Sequence, residues 1–200
     1  MLDRAPRRSV TPALEARDVS VRRCGTSLVQ RVSLTADRGE LLVLLGGQGS
    51  GTSTMLSLLA GRAVPDAGKI LLDGRSPLHL TDAGDLVVGE GPVDADAVLR
   101  GHCSIVVPRG RVVLLDSPVH GLDEQDANEL LARCRASADA GDAVVVTIDS
   151  AALAARHATT IALFVAGRLL SWGPPAIALV PALQLLGTGA SLNDGVAVPH

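Results

Sequence analysis

The chain has no tyrosine, one phenylalanine and one tryptophan among 200 residues, and its only lysine is Lys69. Lysine and arginine together number 18, so the remaining permanently basic residues are arginines and ammonium charge is nearly absent. The formal net charge is −3, which leaves no electrostatic footprint for nucleic acid. Arginines cluster at Arg4, Arg7 and Arg8 and again at Arg17, Arg22 and Arg23, and this reads as a solvated, poorly ordered terminus. Cysteines are few. Cys24, Cys103 and Cys134 are odd in number and lack paired spacing, which argues against a disulfide framework or a zinc site and for reduced thiols. No run reaches the roughly 18 apolar residues of a spanning helix, because Arg168, Pro174, Pro175 and Pro181 interrupt the most apolar stretches. The first ten residues, MLDRAPRRSV, lack the apolar segment of a signal peptide. His79, His102, His120, His157 and His200 show no metal-ligand spacing and read as surface or loop residues.

Hydrophobic residues make up 47% of the chain and charged residues 20%, and the mean hydropathy is +0.33. That is enough apolar content for a core. It reflects either richness in Ala, Val and Leu or a surface buried against a partner. The most informative stretch is residues 41–60, LLVLLGGQGSGTSTMLSLLA. Leu41 to Leu45 reads as a buried strand and Met55 to Ala60 as a helix opened by Thr52, Ser53 and Thr54. Between them lie Gly46, Gly47, Gln48, Gly49, Ser50 and Gly51. Strand, glycine loop and helix present backbone N–H groups and a helix N-terminus to a phosphate. The pattern G-x-x-x-x-G-K-[ST] fits at Gly46, Gly51 and Ser53, but its lysine is Thr52.

On either side, the periodicity predicts alternating strands and helices. Leu14 to Val32 reads as an antiparallel pair turning near Cys24 to Thr26. Gly61 ends the loop helix. Pro65 to Gly68 is a turn, and Lys69 to Leu72 a strand. Residues 75–104 are rich in Gly, Asp and Pro, with a strand at Leu86 to Val88 and a helix near Asp94 to Arg100. Val112 to Leu115 is a fully apolar run ending at Asp116, as expected of a buried parallel strand. A helix follows over Asp123 to Ala138, a strand over Ala143 to Ile148 and a helix near Ala151 to His157. Ile161 to Val165 and Arg168 to Ser171 read as strands. Residues 176–186 form an apolar segment broken at Pro181, and the last fourteen residues read as loose. The order predicts an α/β fold with a mainly parallel sheet.

Leu14 to Gly74 and Arg111 to Pro175 together resemble the nucleotide-binding subunit of an ATP-binding cassette (ABC) transporter. The resemblance rests on the glycine loop, the P-D-x-G-K-I-x-x-D-G segment ending at Gly74, and D-S-P-x-x-G-L-D from Asp116 to Asp123, in that order. It implies a phosphate-loop NTPase core with a small N-terminal antiparallel β subdomain. Residues 1–12 would be a flexible leader, 13–175 the nucleotide-binding core and 176–200 an apolar segment with a loose tail. The expected ligands are ATP, held by residues 46–54, and Mg²⁺ near Ser53 and Asp116. The expected partners are a membrane permease and a second ATP-binding subunit, and the expected location is cytoplasmic, peripheral at the inner face of the membrane.

The departures matter equally. The family's phosphate lysine is Thr52, the glutamate that polarises the attacking water is Ser117, and the switch histidine is Ile148. No aromatic precedes the first β turn to stack on adenine; Arg22, Arg23 and Cys24 occupy that neighbourhood, and Phe164 and Trp172 lie far along the chain. The helical subdomain and its L-S-G-G-Q signature are missing, since only residues 75–110 lie between the matched halves. Gly89-Glu90-Gly91 sits about where the glutamine loop would be. Loss of the lysine removes about 1.5–3 kcal/mol, or about ten- to a hundredfold in affinity. The expectation is weak Mg-ATP binding with little or no hydrolysis. The alternative is a non-catalytic interaction or regulatory module that keeps the fold. Three residues each carry two readings. Ser53 is a Mg²⁺ ligand or a serine serving the helix N-terminus, and Asp116 a Mg²⁺-organising residue or a turn former before Pro118. Asp123 is an interface residue or a helix N-cap.

Overall fold

The structure is a computed structural model, and it describes residues 11–77, 86–100 and 110–181. Residues 1–10 of the expected leader (residues 1–12), Cys103 and the tail beyond residue 181 lie outside the described residues. Long β-branched strands open the chain. β1 (Leu14–Arg23) and β2 (Thr26–Ala36) pair antiparallel around the Cys24-Gly25 turn. β4 (Ala67–Leu72) pairs antiparallel with β1 on its other side, giving the order β2-β1-β4. The turn expected at Pro65 to Gly68 thus ends earlier, because Ala67 and Gly68 already belong to β4. Gly68 has φ +84, and a Cβ there would lie 2.4 Å from the Asp18 carbonyl oxygen, so β4 approaches β1 more closely than a larger residue permits.

The main sheet has six strands in the order β5-β6-β7-β3-β8-β9. β3 (Glu40–Leu45), β5 (Leu86–Glu90), β6 (Val112–Asp116), β7 (Ala143–Ile148) and β8 (Thr160–Val165) are parallel, and β9 (Arg168–Gly173) returns antiparallel along β8. The continuous apolar runs arise because both faces are covered. Leu42, Leu44, Val145 and Phe164 face the small sheet and α1 (Thr52–Leu59). Leu41, Val43, Val144, Val146 and Leu163 face the opposite helices: α2 (Gly91–Arg100), α3 (Glu124–Asp139), α4 (Ala151–His157) and α5 (Pro175–Ala178). In this way the α/β core and the small antiparallel sheet expected from the sequence are both present.

Helix ends follow local chemistry. Asp123 caps α3, its carboxylate accepting from the Asp126 amide at 2.8 Å, which is the capping role weighed for it. The Ser150 hydroxyl caps α4 by accepting from the Leu153 amide. α2 begins three residues before its expected start, and within the described residues it is the helix that joins β5 towards β6. The described part of the apolar C-terminal segment contains α5, four residues long. His157 is not a free surface residue: its Nε2 lies 2.9 Å from Asn128 Oδ1, and burial holds its pKa below the ordinary value. Burial also pushes the Cys134 thiol up to about 12, consistent with an inert reduced cysteine.

Candidate functional site

Strand order dictates where the site lies. β7 lies between β3 and β6, and the chain crosses to the far side of β3 only after β7. The C-terminal ends of β3, β6 and β7 therefore meet near the point where the strand order reverses, which is where α/β sheets bind ligands. An open cleft of about 680 Å³ is found there. Residues 46–54 line it from β3, Ser117, Val119, His120 and Gly121 from beyond β6, and Thr147, Ile148 and Asp149 from β7. The nine loop residues expected to hold nucleotide are thus gathered around one cleft.

The loop's shape depends on its glycines. A Cβ at Gly46 would lie 2.4 Å from Ser50 Oγ, and one at Gly51 would lie 2.5 Å from the Leu28 carbonyl oxygen. Gly51 also has φ +95 and is the N-cap of α1 without a side-chain cap bond. The first-turn amides of Thr52, Ser53 and Thr54 have no partners within the helix, and no acidic side chain occupies that turn. An uncapped helix start of this kind is suited to an anion. The loop is anchored from outside as well. The Gly46 amide donates to the Ile148 carbonyl (3.1 Å), and the Gly167 amide donates to the Ser50 carbonyl (2.9 Å).

Thr52 is buried, and its hydroxyl lies 3.3 Å from the Ser50 hydroxyl. At the position where a phosphate loop carries its ammonium, this chain has a neutral pair of hydroxyls instead. Opposite the loop, three hydroxyl groups converge on one oxygen of Asp116. Ser53 Oγ donates at 3.0 Å, Thr147 Oγ1 at 2.6 Å and Ser117 Oγ at 3.4 Å. Thr147 Oγ1 also accepts the Ser117 amide at 2.7 Å. Ser117 itself has φ +49, a sparsely populated backbone conformation for a residue with a side chain. Its hydroxyl lies 3.4 Å from Asp116 Oδ1. Ile148 is 95% buried, its side chain in the core, and its carbonyl is what reaches the loop.

The two readings of Ser53 and Asp116 can now be compared with geometry. Ser53 does not cap α1; it bonds across to β6. Asp116 is the acceptor of the hydroxyl cluster rather than only a turn former. A serine hydroxyl and a carboxylate 3.0 Å apart at the loop are hard oxygen donors, and this donor set fits Mg²⁺, which takes one or two protein oxygens and completes its shell from phosphates and water. Among the described residues no group of three His, Cys, Asp or Glu side chains could hold a metal alone. Phe164 is fully buried in the core, Trp172 lies on the outer strand β9, and neither lines the cleft. Arg22 and Arg23 are tied to Asp66 instead. Sequence reasoning did not name Val119, His120, Gly121, Thr147 or Asp149 as site residues, and they also line the cleft; Thr147 and Asp149 gave no signal, and His120 lay in a turn with no ligand spacing.

Residues 29–144, more than half of the chain, match the family model described as ABC transporter. The chain belongs to the ABC transporter family. Its curated relatives include the hemin import ATP-binding protein HmuV of Bordetella bronchiseptica, 30% identical over 84% of this chain and 88% of that protein. The HmuV of Thermobifida fusca is 28% identical over 84% and 79%. The alignment to the Bordetella protein runs over 233 positions, more than the 200 residues of this chain, so that ABC relative carries sequence with no counterpart here. Among solved structures, the ADP conformation of MJ1267, an ATP-binding cassette of an ABC transporter, superposes with TM-score 0.71 at 12% identity, covering 89% of this chain and 99% of that one. CbiO1 of Clostridium perfringens, part of the ABC transporter complex cbiONQ, gives 0.68 at 17%, covering 92% and 96%. These two establish the ABC fold. Among the described residues no helix is long and apolar enough to cross a membrane.

The hydroxyl cluster makes a direct test possible. Asp116→Asn keeps an oxygen acceptor for Ser53 and Thr147 and removes the charge. Thermal stability is expected to stay close to wild type. The Mg²⁺-dependent part of ATP binding, measured by calorimetry with and without EDTA, is expected to weaken about tenfold. An unchanged Mg²⁺ dependence would show that Asp116 takes no part in holding Mg²⁺.

Proposed function

We propose that this chain binds Mg-ATP weakly at residues 46–54 and does not hydrolyse it. The observation that carries this reading is the pairing of an uncapped, glycine-shaped loop and helix start with a neutral Thr52. Backbone amides and the helix dipole remain to hold phosphate, while the charge that tightens the contact is gone. When bound, Mg²⁺ would supply charge neutralisation between phosphate oxygens, with Ser53 and Asp116 as its protein ligands. Thr147 holds the Asp116 carboxylate and the Ser117 amide in place. Ser117 and Ile148 offer neither a general base nor a proton-bearing contact, each of which commonly contributes orders of magnitude in rate.

The domain reading is part of the same proposal. Residues 13–175 form a shortened cassette in which residues 75–110 replace the helical subdomain and its signature. Such a chain can offer its loop to a second ATP-binding subunit but cannot complete that subunit's site. Asp123 caps α3 beside the cleft and, in this reading, also faces that second subunit. A membrane permease remains the expected anchor, placing the chain at the inner face of the membrane.

Calorimetric titration of Mg-ATP into the wild-type protein tests the reading. One saturable site per chain, lost in EDTA, is the expected result. A second reading, an interaction module without nucleotide, is favoured by the exposed Leu170, Trp172, Ile177 and Val180 on and after β9. It is supported if no heat of binding is seen and a partner binds equally well with and without nucleotide.

A further inference from the structure

We propose that Gln30 is a positioning residue for the phosphate loop: it clamps the Ala166–Gly167 turn against the Ser50 carbonyl and so sets the shape in which the loop meets phosphate. Its effect on affinity rests on the nucleotide reading above, whereas its effect on loop shape needs no ligand. A loop that holds an anion turns its N–H groups inward and its carbonyls outward. The Ser50 carbonyl accepts from the Gly167 amide at 2.9 Å, and Gly167 is not among the residues that line the cleft. This bond therefore draws the Ser50 carbonyl away from the cleft. The Ser50–Gly51 peptide is trans, and a trans peptide holds its C=O and N–H on opposite sides. Fixing the Ser50 carbonyl outward thus turns the Gly51 N–H of the same peptide inward. Gly51 has φ +95, and a glycine there leaves the peptide able to rotate once that bond is lost.

The turn that supplies the bond is itself held by Gln30. Ala166 and Gly167 are the two residues between β8 and β9, with φ +48 and +77, the left-handed pair of a two-residue hairpin turn. Ala166 carries a side chain in a conformation that such residues rarely adopt. A Cβ on Gly167 would lie 2.7 Å from the Leu28 carbonyl oxygen, the same oxygen that a Cβ on Gly51 would meet at 2.5 Å. Turn, β2 and phosphate loop therefore pack backbone against backbone. Gln30 of β2 grips the turn at three points. Its amide donates to the Gly167 carbonyl at 2.8 Å, its Nε2 donates to the Ala166 carbonyl at 3.2 Å, and its Oε1 accepts from Arg168 Nε at 3.1 Å. A glutamine serves both sides at once because its amide carries a donor and an acceptor; exchanging the two would set donor against donor and acceptor against acceptor. Gln30 is half-buried and does not line the cleft, so it acts on phosphate only through the turn.

The experiment compares the wild type with Gln30→Met, which keeps the length and removes both side-chain bonds, and Gln30→Lys, which restores a donor for the Ala166 carbonyl. Amide exchange is followed by NMR on the protein without nucleotide, and Mg-ATP affinity by calorimetry. In Gln30→Met the Ser50 and Gly167 amides are expected to exchange about three- to tenfold faster, the scale of one neutral hydrogen bond. Mg-ATP is expected to bind about three- to tenfold more weakly. The Gly46 amide, bonded to the Ile148 carbonyl, is the reference and is expected to keep its rate, as the thermal midpoint keeps its value. Gln30→Lys is expected to lie between wild type and Gln30→Met in both measurements. A merely structural role would lower the thermal midpoint and speed exchange at Gly46 equally, and that result would overturn the assignment. Unchanged exchange at Ser50 and Gly167, or faster exchange with unchanged affinity, would overturn it too and leave the nucleotide reading standing. Absence of Mg-ATP binding in the wild type would remove the nucleotide reading. The exchange rates then decide the clamp alone, faster rates in Gln30→Met supporting it and unchanged rates overturning it.

Discussion

Thr52→Lys is expected to raise the affinity for Mg-ATP by about ten- to a hundredfold, the scale of a charge-assisted contact in a partly enclosed site. Thr52 is buried and bonded to Ser50, so a lysine there must extend its stem out of the loop to place the ammonium in the cleft. The Ser50 hydroxyl then loses its partner, which offsets part of the gain and favours the lower end of the range. Calorimetry on wild type, Thr52→Lys and Thr52→Met separates charge from bulk. Methionine gives a similar stem without charge and is expected to leave affinity unchanged or lower it. Equal affinities for the lysine and methionine variants would show that the loop does not present this position to phosphate.

The second large effect lies away from the cleft. Asp142→Ala is expected to lower the unfolding free energy by about 3–5 kcal/mol, the usual result of removing one partner from a buried ion pair. Asp142 is 2% exposed and Arg111 9%. The carboxylate accepts the Arg111 amide at 2.7 Å and the Ser137 hydroxyl at 2.7 Å, and its Oδ2 lies 3.6 Å from the Arg111 guanidinium. These contacts tie the end of α3 and the start of β7 to the start of β6. Removal deletes the carboxylate that the Arg111 amide, the Ser137 hydroxyl and the Arg111 guanidinium share. Urea unfolding of wild type and variant measures the loss. A shift below about 1 kcal/mol would mean that the site relaxes or admits water.

Much of the fold was legible because the central strands are covered on both faces. Leu41 to Leu45, Val112 to Leu115 and Ala143 to Ile148 read as unbroken apolar runs for that reason. The region around β5 and α2 was blurred, since Gly89, Gly91, Pro92 and the aspartates obscure both periodicities. β4 was read short because Gly68, a turn signal in sequence, here allows the close approach to β1. The loop itself was legible from local spacing. Its surroundings were not, because they are made by register rather than by motif. Ser53 finds its acceptor 63 residues away, and Thr147 reaches Asp116 only because β7 is inserted between β3 and β6. His120 lines the cleft from beyond β6, a position no ligand spacing could signal. The substitutions of the lysine, the glutamate and the switch histidine were read from sequence. The structure adds what occupies each place: a hydroxyl pair, a serine bound to Asp116, and a core isoleucine.

Binding without turnover is tested most directly by equilibrium dialysis of the wild-type protein against Mg-ATP, with chromatography of the nucleotide on both sides of the membrane. The expected result is an excess of nucleotide on the protein side that disappears in EDTA, with the same ATP to ADP ratio as a protein-free control. Conversion of ATP to ADP at about 1 per second or faster, the range of ordinary enzymes, lost in Ser53→Ala or Asp116→Asn, would contradict it.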